Sequence, residues 1–174
     1  MADLYHNIFW YYKGAQKSHQ EGERQLENNT TKSLVNSLEH CSALVAVKFL
    51  DWIGIRTDGK NIQFRLQKKT IGEREIRGKS QRLLLALVPK KGNEDFSPTL
   101  EGRPEESDSC PDAWLYGEDF VVLIESKVMG SLDPDQIGRH YEKVRVGKGK
   151  RPEFKVQTWA AVHRFLKTLF TGTG

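Results

Sequence analysis

Residues 109–128 constrain this chain more than any other stretch. Ser109-Cys110-Pro111-Asp112-Ala113-Trp114-Leu115-Tyr116 is followed by Gly117-Glu118-Asp119, then by Phe120-Val121-Val122-Leu123-Ile124-Glu125-Ser126-Lys127-Val128. The second run is apolar from Phe120 to Ile124 and rich in β-branched residues, the composition of a strand covered on both faces. With a tight turn before it, the stretch reads as a hairpin. Side chains alternate along a strand, so Glu125 and Lys127 share a face with Leu123 while Ser126 points away. An acid and a base at the end of a buried strand are costly unless they pair or bind a metal. Asp112 opens the first arm, and the hairpin returns it beside the end of the second. Two carboxylates and an amine therefore converge on one spot. A simpler reading of the same residues is a buried Glu125–Lys127 ion pair, because structural ion pairs mimic sites.

Pro111-Asp112 followed by Glu125-Ser126-Lys127 resembles the motif of the PD-(D/E)XK nuclease superfamily. The resemblance implies an α/β, restriction-endonuclease-like fold: a mixed sheet with a core of helix, three strands, helix and strand, flanked by helices. It also implies a metal-dependent phosphodiester hydrolase acting on nucleic acid, most simply an endonuclease on double-stranded DNA, used in restriction, repair or defence against phage. In that scheme Asp112 and Glu125 hold Mg²⁺, with Mn²⁺ as a substitute, the Ser126 carbonyl is a further ligand, and Lys127 orients or activates the attacking water. Mg²⁺ takes hard oxygen ligands and keeps several waters, so a few carboxylates suffice. The superfamily also draws a glutamate from its first helix into the metal site, which Glu27 matches, and places a glutamine or basic residue of a later helix near the scissile phosphate as part of the catalytic set, which Gln136 matches. Two other classes remain open on the sequence: a non-catalytic nucleic-acid-binding module of the same fold, and an interaction domain whose apparent site is an ion-pair cluster.

A chain of 174 residues suits one domain, residues 1–174, with room for a real core. The ending Thr171-Gly172-Thr173-Gly174 looks cut, so the expectation is the N-terminal part of a longer protein. No apolar run approaches the ~20 residues of a membrane span, and the aromatic N-terminus does not read as a signal peptide. A cytoplasmic location without membrane contact is therefore expected. Cys41 and Cys110 lack the clustered spacing of a zinc site and read as reduced thiols.

Charge is segregated. From Arg56 to Lys91 there are eleven Lys/Arg against three Asp/Glu, from Lys143 to Lys155 six against Glu153 alone, and between them Glu101–Asp119 carries seven acids against Arg103. Basic blocks flanking an acidic one suit a metal cleft with phosphate-binding walls, although charge runs also serve as solvated loops. Arg139, Lys143, Lys148, Lys150 and Arg151 are the expected nucleic-acid contacts, the last three in the glycine-rich loop 147–152. Relatives in the resembled superfamily often cut as dimers, so a homodimer or further domains of a longer chain are the other expected partners.

Along the rest of the chain, Tyr5, Phe9, Trp10, Tyr11 and Tyr12 are expected to pack over the main domain. Residues 20–55 read as helix, with Leu34, Leu38 and Cys41 at i, i+4, i+7 and Glu27 on the same stripe, seven positions before Leu34. Glu21 and Glu23 align less well. Asn61–Gln67 is the best strand in a loop-rich stretch that has room for one hairpin. Gly72 to Gly78-Lys79-Ser80 resembles a P-loop, but five residues separate the glycines and no buried strand precedes them, which excludes nucleotide hydrolysis. Gln81–Val88 reads as the first core strand. Residues 90–109 read as a polar loop leading into Asp112.

After Lys127, Asp133-Pro134-Asp135-Gln136 reads as a helix start with Asp133 as N-cap, Pro134 at N1 and Gln136 closing a capping box. Ile137, Tyr141 and Val144 form its buried stripe, and Gln136, Arg139, His140 and Lys143 its more polar flank. Phe154–Leu169 reads as a final amphipathic helix, entered through a short strand at Phe154–Gln157 if the last core strand is present at all.

Overall fold

The computed structural model describes residues 19–90, 109–145 and 151–172, with side chains from residue 25 onward in the first of these. The aromatic segment 1–18, most of the 90–109 loop, Lys148, Lys150 and the side chains of Glu21 and Glu23 lie outside the described residues. Within them the order is α1 (His19–His40), α2 (Ala43–Trp52), β1 (Gln63–Leu66), α3 (Glu73–Ile76), β2 (Gln81–Val88), β3 (Ala113–Tyr116), β4 (Phe120–Ser126), α4 (Pro134–Val144), β5 (Glu153–Thr158) and α5 (Trp159–Thr171).

The strands form one mixed sheet in the order β1-β3-β4-β2-β5. β3 runs antiparallel to β1 and β4, whereas β2 runs parallel to both β4 and β5. Every residue of β4 is buried, and β2 is buried from Arg82 onward, as the two central strands of a sheet covered on both faces must be. On one face Leu83, Leu85, Leu87, Val122 and Ile124 pack with Leu34, Leu38, Phe49 and Leu50 of α1 and α2 and Val162 of α5. On the other, Leu84, Ala86, Val121 and Leu123 pack with Ile137, Tyr141 and Val144 of α4. The result is a three-layer α/β/α arrangement with one apolar cluster on each side of the sheet.

Local signals place the ends. Asp133 accepts from the Asp135 amide at 2.9 Å with Pro134 behind it, so α4 starts where expected. Thr158 caps α5 through the Ala161 amide, and Gly172 ends it in the left-handed region at φ 64°. The missing core strand exists: Glu153–Thr158 pairs along β2, from Leu83↔Glu153 to Val88↔Thr158.

Four expectations are corrected. Cys41 is exposed beyond the end of α1, and Val35, not Cys41, completes the buried stripe with Leu34 and Leu38. The strand near Asn61 forms no local hairpin; it is an edge strand on β3. Gln136 makes no capping box among the described residues, since Asp133 is met by the Asp135 amide alone. His140 is fully buried, not on a polar flank, because it falls three residues after Ile137 and four before Val144 on the inward stripe.

Candidate metal centre

The parallel strands β2, β4 and β5 deliver their C-terminal ends together, at Leu87, Ser126 and Thr158. The carboxyl ends of strands are where open α/β sheets place their ligand sites. Asp112 immediately precedes β3, and the pairing of Ala113 with Ile124 sets it beside the end of β4. Its backbone carbonyl accepts from the Gln67 amide at 3.0 Å, which ties it to the exit of β1. Its Oδ2 accepts two hydrogen bonds from Ser126, from the amide at 2.7 Å and from the hydroxyl at 2.9 Å.

Glu125 faces α4, and its residue is 2% exposed. Its Oε1 accepts from Lys127 Nζ at 3.2 Å, while its Oε2 lies 3.6 Å from His140 Nε2 and has no hydrogen-bond partner among the described residues. Lys127 follows β4 and reaches round the sheet end: the same ammonium lies 3.5 Å from Glu27 Oε2 on α1. Its side chain is 20% exposed and that of Glu27 14%. The Lys127 backbone is held at both polar groups, by its amide on the Leu87 carbonyl at 2.7 Å and by Trp159 Nε1 on its carbonyl at 3.1 Å. Asp112, Glu125, Lys127 and Glu27 are therefore brought to one spot.

Electrostatics follow from burial. Desolvation, then the neighbouring Asp112 charge, pushes Glu125 up to about 8 despite Lys127. Asp112 is also raised, by burial first, against the opposing pull of its two Ser126 bonds. Burial acts to lower Lys127, but Glu125 and Glu27 outweigh it and its pKa rises, so the amine stays an ammonium at neutral pH. His140 is pushed down to about 3 by burial and by Lys143, Arg139 and Lys127, so its ring is neutral.

The other expected residues divide: Arg139 and Lys143 lie close enough to act on His140, whereas Gln136 and Arg151 do not join the cluster. Gln136 is half-buried on α4 and forms no hydrogen bond to this cluster among the described residues. Arg139 is half-buried, with its Nε lacking a partner among the described residues. Lys143 donates to the Ser109 carbonyl, which pins the segment before Asp112 and occupies the amine in a protein contact. Arg151 lies at the far end of the sheet with Gln81 and Arg82, where it lines a cavity together with Gly54 and Glu153. The length of β4, roughly 20 Å at strand rise, separates that end from Glu125.

Three residues in the cluster carry no motif. Thr31 on α1 shares a hydrogen bond with the Ser126 hydroxyl. His140 meets Ser109 Oγ at 2.7 Å through Nε2. That pair is not a hydrolytic triad, because Glu125 approaches the same ring nitrogen and Nδ1 has no partner among the described residues. Trp159 holds the Lys127 carbonyl. Periodicity could have found Thr31, one turn after Glu27, and would have turned His140, which the sequence offered as an acid or base on the polar flank, inward within the Ile137–Val144 stripe.

The donor set suits a hard divalent cation: carboxylate oxygens from Asp112 and Glu125, with Glu125 Oε2 a buried oxygen in need of a partner. As they stand, no three His, Cys, Asp or Glu side chains among the described residues close on a common metal position. The Lys127 ammonium lies within 3.5 Å of both Glu27 and Glu125. No helix among the described residues is long and apolar enough to cross a membrane. Comparison with protein-family models, with curated proteins and with solved structures found no match to this chain.

Proposed function

We propose that this chain is a divalent-cation-dependent nuclease that hydrolyses phosphodiester bonds of DNA as an endonuclease, on a restriction-endonuclease-like fold. The observation that carries the reading is the convergence of Asp112, Glu125, Lys127 and Glu27, from three separate stretches of the chain, at the end of a buried central strand. Maintaining two raised carboxylates and an ammonium there is costly to stability, and chemistry is the usual reason such groups are kept. The element order supports the fold assignment: the helical pair α1 and α2, then β2, β3 and β4, then α4 and β5 follow the order helix, three strands, helix and strand, with β1 and α3 as an insertion and α1 carrying Glu27.

Asp112 and Glu125 would hold Mg²⁺ or Mn²⁺. When bound, that cation supplies charge stabilisation at the phosphate and a water of lowered pKa. Glu125 sheds its proton to become a ligand, so binding tightens as pH rises towards 8. Ser126 presents Asp112 in one orientation through two hydrogen bonds. Lys127 acts as a fixed ammonium: it places positive charge where the phosphorane charge develops and orients the attacking water, and it does not serve as the base in this state.

One observation favours the alternative, a non-catalytic nucleic-acid-binding module. The Lys127 ammonium already bridges Glu125 and Glu27 without a metal. Nicking of supercoiled plasmid in Mg²⁺, Mn²⁺ or EDTA decides between them. The nuclease reading expects metal-dependent cutting that is lost in Asp112→Ala and in Lys127→Ala. DNA binding without cutting, unchanged by either substitution, establishes the alternative.

A further inference from the structure

We propose that Thr31 is a positioning residue for Asp112, acting through the hydroxyl of Ser126. The inference deepens the nuclease reading and rests on it for its catalytic consequence. Thr31 is 1% exposed and Ser126 is fully buried, and their hydroxyl oxygens are in hydrogen-bond contact although the residues lie 95 positions apart. A serine hydroxyl has one proton to give. Ser126 spends it on Asp112 Oδ2 at 2.9 Å, so in the bond between the two hydroxyls Thr31 is the donor. The chain has a direction, Thr31 to Ser126 to Asp112, and each bond polarises the next. Together with the Ser126 amide on the same oxygen at 2.7 Å, it fixes the plane of the Asp112 carboxylate.

The same helix makes a second contact one turn earlier, where Glu27 meets Lys127 at 3.5 Å. Residues i and i+4 of α1 therefore engage consecutive residues at the end of β4. Turning α1 by one residue, about 100°, breaks both contacts at once. Thr31 and Glu27 set the rotation of the helix against the strand end, and through it the relation of Asp112 to Lys127. In this chain the middle position of Glu125-Ser126-Lys127 is the link between helix and carboxylate.

The test compares Thr31→Val, which keeps the shape and removes the donor, with Thr31→Ser, which keeps the donor. Three quantities are read: hydrogen exchange of the Ser126 amide by NMR without metal, Mn²⁺ affinity by calorimetry, and kcat and KM for plasmid nicking. Thr31→Val is expected to speed Ser126 exchange, weaken Mn²⁺ binding by about 10-fold and lower kcat more than KM, with Thr31→Ser restoring all three. Ser126→Ala supplies a second route, since adding Thr31→Val to it should change Mn²⁺ affinity no further. Wild-type exchange and Mn²⁺ affinity in Thr31→Val, or additive losses in the double variant, overturn the proposal even if the wild-type chain cuts DNA. A wild-type chain that binds no Mn²⁺ and cuts nothing, yet shows the exchange response, upholds the relay and removes the nuclease reading instead.

Discussion

Glu125 Oε2 lies 3.6 Å from His140 Nε2 across the boundary between β4 and α4, and burial drives the two groups towards neutrality from opposite directions. The carboxyl is pushed up to about 8 and the imidazole down to about 3. A neutral acid beside a neutral ring is the low-charge form of this contact at pH 7. On the proposed reading, metal binding would withdraw the Glu125 proton and turn the contact into a charged site.

The burial of these two groups is expected to shape the pH profile of stability. Folded Glu125 keeps its proton to about 8 whereas the unfolded chain loses it near 4.5, so stability falls as pH rises through that window. Asp112, raised by burial, adds to the same limb. Folded His140 stays neutral to about 3 while the unfolded ring gains a proton below 6.5, so stability falls as pH drops through that range. The melting temperature in EDTA should peak where the two limbs cross, between pH 4.5 and 6.5. Glu125→Gln should shrink the alkaline decline, and an unchanged decline between pH 6.5 and 8 would mean that Glu125 is already ionised in the fold.

Lys127→Met separates binding from chemistry. On the proposed reading the ammonium, 3.2 and 3.5 Å from the oxygens of Glu125 and Glu27, would compete with a divalent cation for them. Its removal should leave Mn²⁺ affinity equal to or tighter than wild type while plasmid cutting drops by about 100-fold or more, the scale of a lost electrostatic contact in the transition state. Calorimetry that shows weaker Mn²⁺ binding would instead make Lys127 an organiser of the carboxylates.

Trp159→Phe keeps an aromatic ring at the start of α5 but removes the donor on the Lys127 carbonyl, a bond of 3.1 Å. Lost anchoring of Lys127 should lower kcat by about 3- to 10-fold, the equivalent of one hydrogen bond. The melting temperature should fall by only about 2–4 °C. A large thermal loss with unchanged kcat per folded molecule would assign Trp159 to packing alone.

Trp114→Phe tests the other side of Asp112. The indole is fully buried and its Nε1 donates to the Lys68 carbonyl at 2.9 Å, fastening the exit of β1 beside Asp112. Phenylalanine leaves a cavity and an unpaired carbonyl, together costing about 2 kcal/mol. For a chain of this size that is a drop of about 4–8 °C, measurable by scanning calorimetry.

Elements whose signal is local were legible from the residues alone. The β-branched run Phe120–Ile124 specifies a strand buried on both faces, Asp133-Pro134 starts α4, and the stripe through Leu34 and Leu38 places Glu27 on the inward side of α1. Alternation along β4 and the tight turn at Gly117 bring Asp112 beside Glu125 and Lys127 without reference to any other element. Features that depend on non-local pairing came from the assembled fold. β1 joins β3 as an edge strand, and β5 forms because β2 offers it a parallel partner, which Phe154–Gln157 alone does not announce. His140, Thr31 and Trp159 enter the site because α4, α1 and α5 dock at the C-terminal end of β4, and Arg151 leaves it because the start of β5 lies at the opposite end. The physical reason is one of range. Periodicity and turn chemistry fix which side of its own element a residue occupies, but which elements meet at a strand end is settled by the packing of whole faces against the sheet.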